Sequence, residues 1–249
     1  MRDRTMTHGS LFSGIGGFEL GAEWAGIPTL WNCEIEDYQR EVLKKNFPHV
    51  KQYRDITKTS GLGHVDIISG GFPCQDISVA GKGEGITGKR SGLWTEMHRV
   101  IREVRPAYVI IENSPALLYR GFERVLCDLS QSGYNAEWQC IRNSSFGFPH
   151  HRERLYVIAY TNEIKLQGNV RVDRCFKPVF KEWTPNSDDG YSCAKRILQM
   201  PTCGHIRNGD GFPGWIHRVG SIGNAVNPCV AKYLFECIKE FDRQVETIA

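Results

Sequence analysis

Ser10-Leu11-Phe12-Ser13-Gly14-Ile15-Gly16-Gly17-Phe18 decides the fold of this 249-residue chain. An apolar strand over 9–12 runs into a loop of small residues, and a helix-period segment follows over 17–25. Strand, glycine turn and helix in that order open a βαβ unit, and the turn lets a ligand approach the backbone closely. Gly14-Ile15-Gly16 invites a dinucleotide-binding reading, but the third glycine of G-x-G-x-x-G would fall at residue 19, which is Glu. A carboxylate aimed near a pyrophosphate is repulsive. NAD and FAD are therefore disfavoured, and a ligand without phosphates suits the loop better.

Outward from that loop, strands expected near 28–33, 65–69, 107–111, 135–141 and 154–160 alternate with helices near 36–46, 93–104 and 120–132. The alternation through residue 160 predicts repeated βαβ units around a parallel sheet, with Gly133 closing the last of these helices. From Thr161 to Asp210 the pattern breaks down, and between Lys165 and Arg207 eight Lys and Arg stand against four Asp and Glu. Periodicity returns at the end, where Asn227 can cap a helix that has Pro228 at its first position and runs to about Phe241. The expected division is a catalytic and cofactor-binding domain over 1–160, a small target-recognition region over 161–210, and a return to the first domain over 211–249.

Composition sets the bounds. A chain with 41% hydrophobic residues can bury a full core. A net charge of +3 permits a polyanionic partner without demanding one, so any nucleic-acid site must come from local clustering. Nine cysteines, odd in number and scattered, argue for reduced thiols and a cytoplasmic location. Met1 to His8 carry charge with no apolar run behind them, and nothing approaches the roughly 20 apolar residues of a membrane span. Neither export nor a membrane is expected.

Three side chains after successive strands outline a ligand. Phe12 offers a ring face to a purine. Glu34 ends the next strand 20 residues after Gly14, the spacing at which an acid reaches ribose hydroxyls in nucleotide-binding α/β folds. Asp55, in Arg54-Asp55-Ile56, follows in the third unit and can accept from an exocyclic amine. Together they favour an adenosyl ligand.

Four further elements follow the opening stretch: Pro73-Cys74-Gln75, Ile111-Glu112-Asn113, His151-Arg152-Glu153-Arg154 and Gly223-Asn224-Ala225-Val226. In that order the five resemble the DNA (cytosine-5)-methyltransferase family, over roughly residues 8–160 and 211–245. Tyr134-Asn135-Ala136 through Ser144-Ser145-Phe146-Gly147-Phe148-Pro149 also matches the approach to the family's arginine motif. The chain departs at Ser114, where the family usually has Val, at His150 for Gln, and at Ala225 for Ser. The resemblance implies an α/β fold, a Rossmann-like S-adenosylmethionine-dependent methyltransferase sheet with helices on both faces and a small target-recognition lobe. It implies S-adenosyl-L-methionine as cofactor, at Phe12, Gly14, Ile15, Gly16 and Gly17, at Glu34, Ile35, Asp55 and Ile56, at Gly71, Pro73 and Leu93, and at Asn224, Ala225 and Val226.

The chemistry of such an enzyme explains the remaining residue types. Cytosine C5 is too weak a nucleophile for a sulfonium methyl, so a thiolate must first add to C6, and Cys74 is the candidate. Charge then develops on N3, where an acid must donate; Glu112, ending the apolar strand Tyr108 to Ile111, is that group, with Asn113 expected to orient its carboxyl. The alternation in Arg152-Glu153-Arg154 sends both guanidinium groups to one face, for the cytosine carbonyl oxygen and for a phosphate or Glu112. The base must be flipped out of the duplex, which suits the glycine-rich stretch 79–92 with Lys82, Lys89 and Arg90 on phosphates, and Gln75 and Ser78 beside it.

In the interval from Thr161 to Asp210, Lys181, Trp183 and Arg196 are the expected DNA contacts among interleaved aromatic and basic residues. Cys175, Cys193, Cys203 and His205 lack the spacing of a zinc site, so no metal is expected. Double-stranded DNA is the expected partner of a monomeric enzyme, and a cognate restriction endonuclease is left open. Three rivals remain: an RNA cytosine methyltransferase of the same fold, an inactive DNA-binding regulator, and, least supported because of Glu19, a nicotinamide oxidoreductase.

Overall fold

The computed structural model describes residues 5–73, 92–148, 151–162, 175–176 and 224–248. Among these, seven strands form one sheet in the order β3-β2-β1-β4-β5-β7-β6. They are β1 (His8–Leu11), β2 (Thr29–Cys33), β3 (Lys51–Tyr53), β4 (Ile67–Gly70), β5 (Tyr108–Asn113), β6 (Tyr134–Arg142) and β7 (Glu153–Thr161). The described helices are α1 (Gly17–Trp24), α2 (Asp37–Asn46), α3 (Leu93–Val104), α4 (Phe122–Gln131) and α5 (Pro228–Ile248).

All six residues of β5 are buried, which is what a central strand covered on both faces requires. On one face, α3 sets Trp94, Met97, Val100 and Ile101 at helical spacing against Ile68, Val109 and Ile111, joined by Phe122, Val125 and Leu129 of α4. On the other, Phe18 and Ala22 of α1 meet Val230, Leu234, Phe235 and Ile238 of α5 over Ile67, Ile110 and Ile158. Each Val, Leu, Ile, Phe or Met among these, fully buried, contributes roughly 1.5–3 kcal/mol. The end of the chain thus completes the layer begun at residue 17. Asn227 caps α5 as expected, accepting from the Cys229 amide at 3.0 Å, and the helix runs past Phe241.

The sheet is mixed where an all-parallel one was expected. β7 lies between β5 and β6 and runs against both, with Glu112 paired to Tyr156 and Trp138 to Val157. The connection from Arg142 to Glu153 spans about ten residues, with a 3-10 turn at Asn143–Phe146 among the described ones, which is too short for a crossover helix, so the chain must reverse. β3 was not anticipated. Its three residues are exposed or half-buried at the sheet edge and carry no apolar alternation.

Strand order reverses between β1 and β4. The carboxyl ends of the strands on either side of that switch open a crevice, the usual ligand position in open α/β sheets.

Candidate active site

A cleft of about 530 Å³ lies along this carboxyl edge, lined from the β1, β2, β3, β4 and β5 ends and by Arg152 and Arg154. Its first half is built by the loop after β1. Phe12, at the strand end, has φ 53°, a left-handed backbone that a bulky residue adopts only when its surroundings impose it, and its ring lines the cleft. Glu34 reaches across to this loop: its Oε2 accepts from the Gly14 amide at 2.7 Å and its Oε1 from the Glu36 amide at 3.0 Å. Burial pushes the Glu34 carboxyl above its usual range, and these backbone amides pull it back.

Asp55, after the neighbouring strand β3, lines the cleft with Ile56 and Thr57. Its Oδ1 accepts from the Thr57 amide and hydroxyl at 3.0 and 2.7 Å, which closes a short 3-10 turn over Ile56–Lys58. Ile35, Leu93, Gly71, Pro73, Asn224 and Ala225 also line the cleft. Ile15, Gly16, Gly17 and Val226 do not. A Cβ on Gly17 would lie 2.3 Å from the Val226 carbonyl oxygen; this close approach fixes the loop against the segment leading into α5.

Glu19 also differs from expectation. It points into the core rather than toward the cleft, 1% exposed, because the third residue of α1 faces the sheet. Burial raises its pKa to about 7; the Ser13 and Ser10 hydroxyls pull in the other direction, yet neither carboxylate oxygen finds a partner at hydrogen-bonding geometry.

The second half of the cleft centres on Glu112. It is 8% exposed, and its Oε1 lies 3.0 Å from Arg154 Nε. Burial raises its pKa; the Arg154 charge, then that of Arg152, oppose the rise. A Cβ on Gly71 would sit 2.7 Å from Glu112 Oε2, so only glycine leaves the carboxyl its place. Arg152 donates from Nη1 to the Ala225 carbonyl, tying the Glu112 half of the cleft to the segment before α5, and burial lowers its pKa. Glu153 turns outward to Arg142 at 2.8 Å, as strand alternation demands.

Asn113 does not orient Glu112. Its Nδ2 donates to the Phe72 carbonyl at 3.1 Å, and its Oδ1 accepts from the Ser114 amide at 2.8 Å. The β5 end therefore holds the Phe72-Pro73 segment in place.

Phe72, Ser114, Gln39, Arg54 and Thr57 line the cleft and were not anticipated. Phe72 and Ser114 adjoin named motifs, whereas Gln39 and Arg54 look like ordinary surface residues. Cys74, Gln75, Ser78, Lys82, Lys89, Arg90, Lys181, Trp183 and Arg196 lie outside the described residues. Among the described residues no group of three or more His, Cys, Asp or Glu is placed to hold a metal ion, and no helix is long and apolar enough to cross a membrane.

The cleft suits an adenosyl group. A Cβ at Gly14 would meet nothing within 4 Å, so space opens directly on the loop. Phe12, the 56% exposed Ile35, Ile56 and Leu93 offer apolar surface, beside the Glu34 and Asp55 carboxylates. Few polar groups placed in an apolar pocket are what fix a ligand's orientation.

Comparison with known proteins agrees. Type II methyltransferase M2.BsuMI of Bacillus subtilis (strain 168) is 39% identical over 158 residues, covering 60% of this chain and 41% of that protein. M.BanI of Aneurinibacillus aneurinilyticus is 30% identical over 227 residues, covering 86% and 52%. The chain spans about half the length of the curated relatives it matches. Among solved structures, a candidate DNA modification methyltransferase from an Escherichia coli prophage superposes with a TM-score of 0.65 at 18% identity, covering 96% of this chain and 99% of that one. The S. pombe Dnmt2 methyltransferase follows the same fold with a TM-score of 0.52 at 22% identity, over 63% of this chain and 49% of its own. The sequence profile of C-5 cytosine-specific DNA methylases matches residues 6–203, and with that match covering most of the chain, the protein belongs to this family.

Proposed function

We propose that this chain methylates cytosine C5 in double-stranded DNA, with S-adenosyl-L-methionine as donor. The observation that carries this reading is one cleft in which a buried, ion-paired Glu112 and the Glu34 and Asp55 walls stand together. S-adenosyl-L-methionine, when bound, supplies an electrophilic methyl group. Glu34 has lone pairs beyond those used by the Gly14 and Glu36 amides and receives ribose hydroxyls on them. Asp55 accepts from the purine amine.

Cys74, next in sequence to the cleft residue Pro73, adds as thiolate to C6 of the flipped base, which makes C5 nucleophilic. Glu112 donates its proton to N3 as charge develops there. Burial keeps this carboxyl protonated to higher pH than usual, and Arg154 holds its position. Arg152 or Arg154 meets the cytosine carbonyl oxygen. After methyl transfer a base removes the C5 proton, and the C6–S bond breaks to release Cys74.

Residues 1–160 with 211–249 form the catalytic unit, and 161–210 the recognition region, with Lys181, Trp183 and Arg196 on DNA. Lys82, Lys89 and Arg90 engage phosphates during flipping, beside Gln75 and Ser78. The enzyme works as a cytoplasmic monomer; the odd number and scatter of its nine cysteines support the location. The type II names of its relatives support a cognate endonuclease as partner.

A duplex carrying 5-fluorocytosine at the target, located by bisulfite sequencing, tests the scheme. It has no C5 proton to lose, so the parent protein should remain attached to it in a denaturant-resistant adduct that needs S-adenosyl-L-methionine and is absent in Cys74→Ala. Trapping that persists without Cys74, or a preference for structured RNA over duplex DNA, would overturn the proposal.

A further inference from the structure

Arg99 belongs to none of the motifs, yet it makes four hydrogen bonds. Its Nε meets Glu96 Oε2 at 2.8 Å and its Nη1 meets Glu103 Oε1 at 2.7 Å, one turn to either side on α3. These two acids hold the guanidinium plane in one orientation. That orientation aims Nη2 at the turn after β3, where it donates to the Ile56 carbonyl at 2.7 Å and the Thr59 carbonyl at 3.1 Å. The turn carries Asp55, Ile56 and Thr57 of the cleft wall, and Leu93 at the start of α3 lines the same cleft.

Inside the fold the turn is anchored by Ile56, which is buried in the core beside α3. It follows an edge strand of three residues, and its internal bonds, Thr57 to Asp55 Oδ1 and the Thr59 hydroxyl to the Asp55 carbonyl, shape it without fixing its distance from α3. The Thr59 carbonyl follows the turn, and the Ile56 carbonyl, which already accepts from the Thr59 amide at 3.3 Å, has a second lone pair, so both can take outside donors. A planar fork supplies two of them at once, which a lysine ammonium cannot do while also meeting both acids.

We infer that Arg99 is a positioning residue for cofactor binding: it sets the Asp55–Thr57 wall at a fixed separation from Leu93 and so shapes the adenosyl half of the cleft. This rests on the adenosyl reading of that cleft. Removing the fork takes away two bonds from α3 and loosens the wall around the buried Ile56, and the ligand must then order it on binding.

The test is titration calorimetry of the full chain with S-adenosylhomocysteine, beside steady-state kinetics and ligand-free thermal melting. Arg99→Lys and Arg99→Gln should each weaken S-adenosylhomocysteine binding about tenfold or more, the scale of lost hydrogen bonds from a charged donor. The KM for S-adenosyl-L-methionine should rise with it, while kcat at saturation stays within about threefold. Glu103→Gln, which keeps both carbonyl bonds, should bind within about threefold of the parent. Parent-like binding in Arg99→Lys would overturn the inference, as would loss of kcat in step with KM. Melting of both Arg99 variants below assay temperature would assign the residue to stability alone and overturn it equally. Failure of the parent chain to bind S-adenosylhomocysteine would instead remove the adenosyl reading.

Discussion

Glu112 shows how two opposed effects set one residue's chemistry. Burial favours its neutral form, and Arg154 at 3.0 Å favours its charged form; burial is the larger, so the carboxyl stays above its ordinary pKa. Glu112→Gln should lower kcat by about 10²-fold or more, in line with lost acid catalysis, while cofactor affinity holds. Arg154→Ala removes the opposing charge, so the pKa of Glu112 should rise further. The limb of the pH–rate profile on which the acid loses its proton should therefore move to higher pH, even as the maximal rate falls through lost orientation. An unmoved limb in Arg154→Ala would show that another group supplies the proton. The acid was legible because four apolar residues precede it. The role of Asn113 was not, since its partner Phe72 lies 41 residues away and no local pattern encodes a side-chain amide meeting a distant carbonyl.

Among the elements, α1 carries a polar cost in its interior. Glu19 stands in the layer between α1 and the sheet, its pKa raised from 4.5 to about 7 by burial. A folded-state pKa above the unfolded one means that the native protein holds a proton the unfolded chain has lost. Stability contributed by this group is full below pH 4.5 and is lost as pH rises to about 7. Glu19→Gln should therefore match the parent near pH 4.5 and exceed it at pH 8 by up to about 3 kcal/mol, at 1.36 kcal/mol per pKa unit. Urea unfolding of both proteins at the two pH values measures the difference, and a gap independent of pH would mean that Glu19 is already satisfied in the fold. Element identity was readable wherever an apolar period spans a buried face, as in α3 and β5. The direction of β7 was not, because it depends on the length of a connection rather than on the strand's own residues. Nor was Arg99, whose value lies in two backbone carbonyls some 40 residues away in sequence.

At the level of the whole molecule, a net charge of +3 spread over 249 residues gives too weak a field to gather DNA unaided. Affinity must then come from a few phosphate contacts, and each neutralised phosphate releases counterions and steepens the fall of affinity with salt. The cleft was legible because the motifs that line it sit at strand ends that the fold brings to one edge. Recognition was not, because base readout depends on which side chains reach a groove, and basic and aromatic residues interleave on ordinary surfaces as well. The interval 161–210 can still be assigned by its salt response. Lys181→Ala and Arg196→Ala should each reduce the slope of log affinity against log salt by about one, with similar losses on cognate and unrelated duplexes. Trp183→Ala should leave the slope as it is and narrow the gap between cognate and unrelated sequence, since stacking or base contact carries no counterion. Fluorescence anisotropy at four or five salt concentrations separates the two behaviours, and parent-like slopes in both basic variants would move the DNA-facing surface away from this interval.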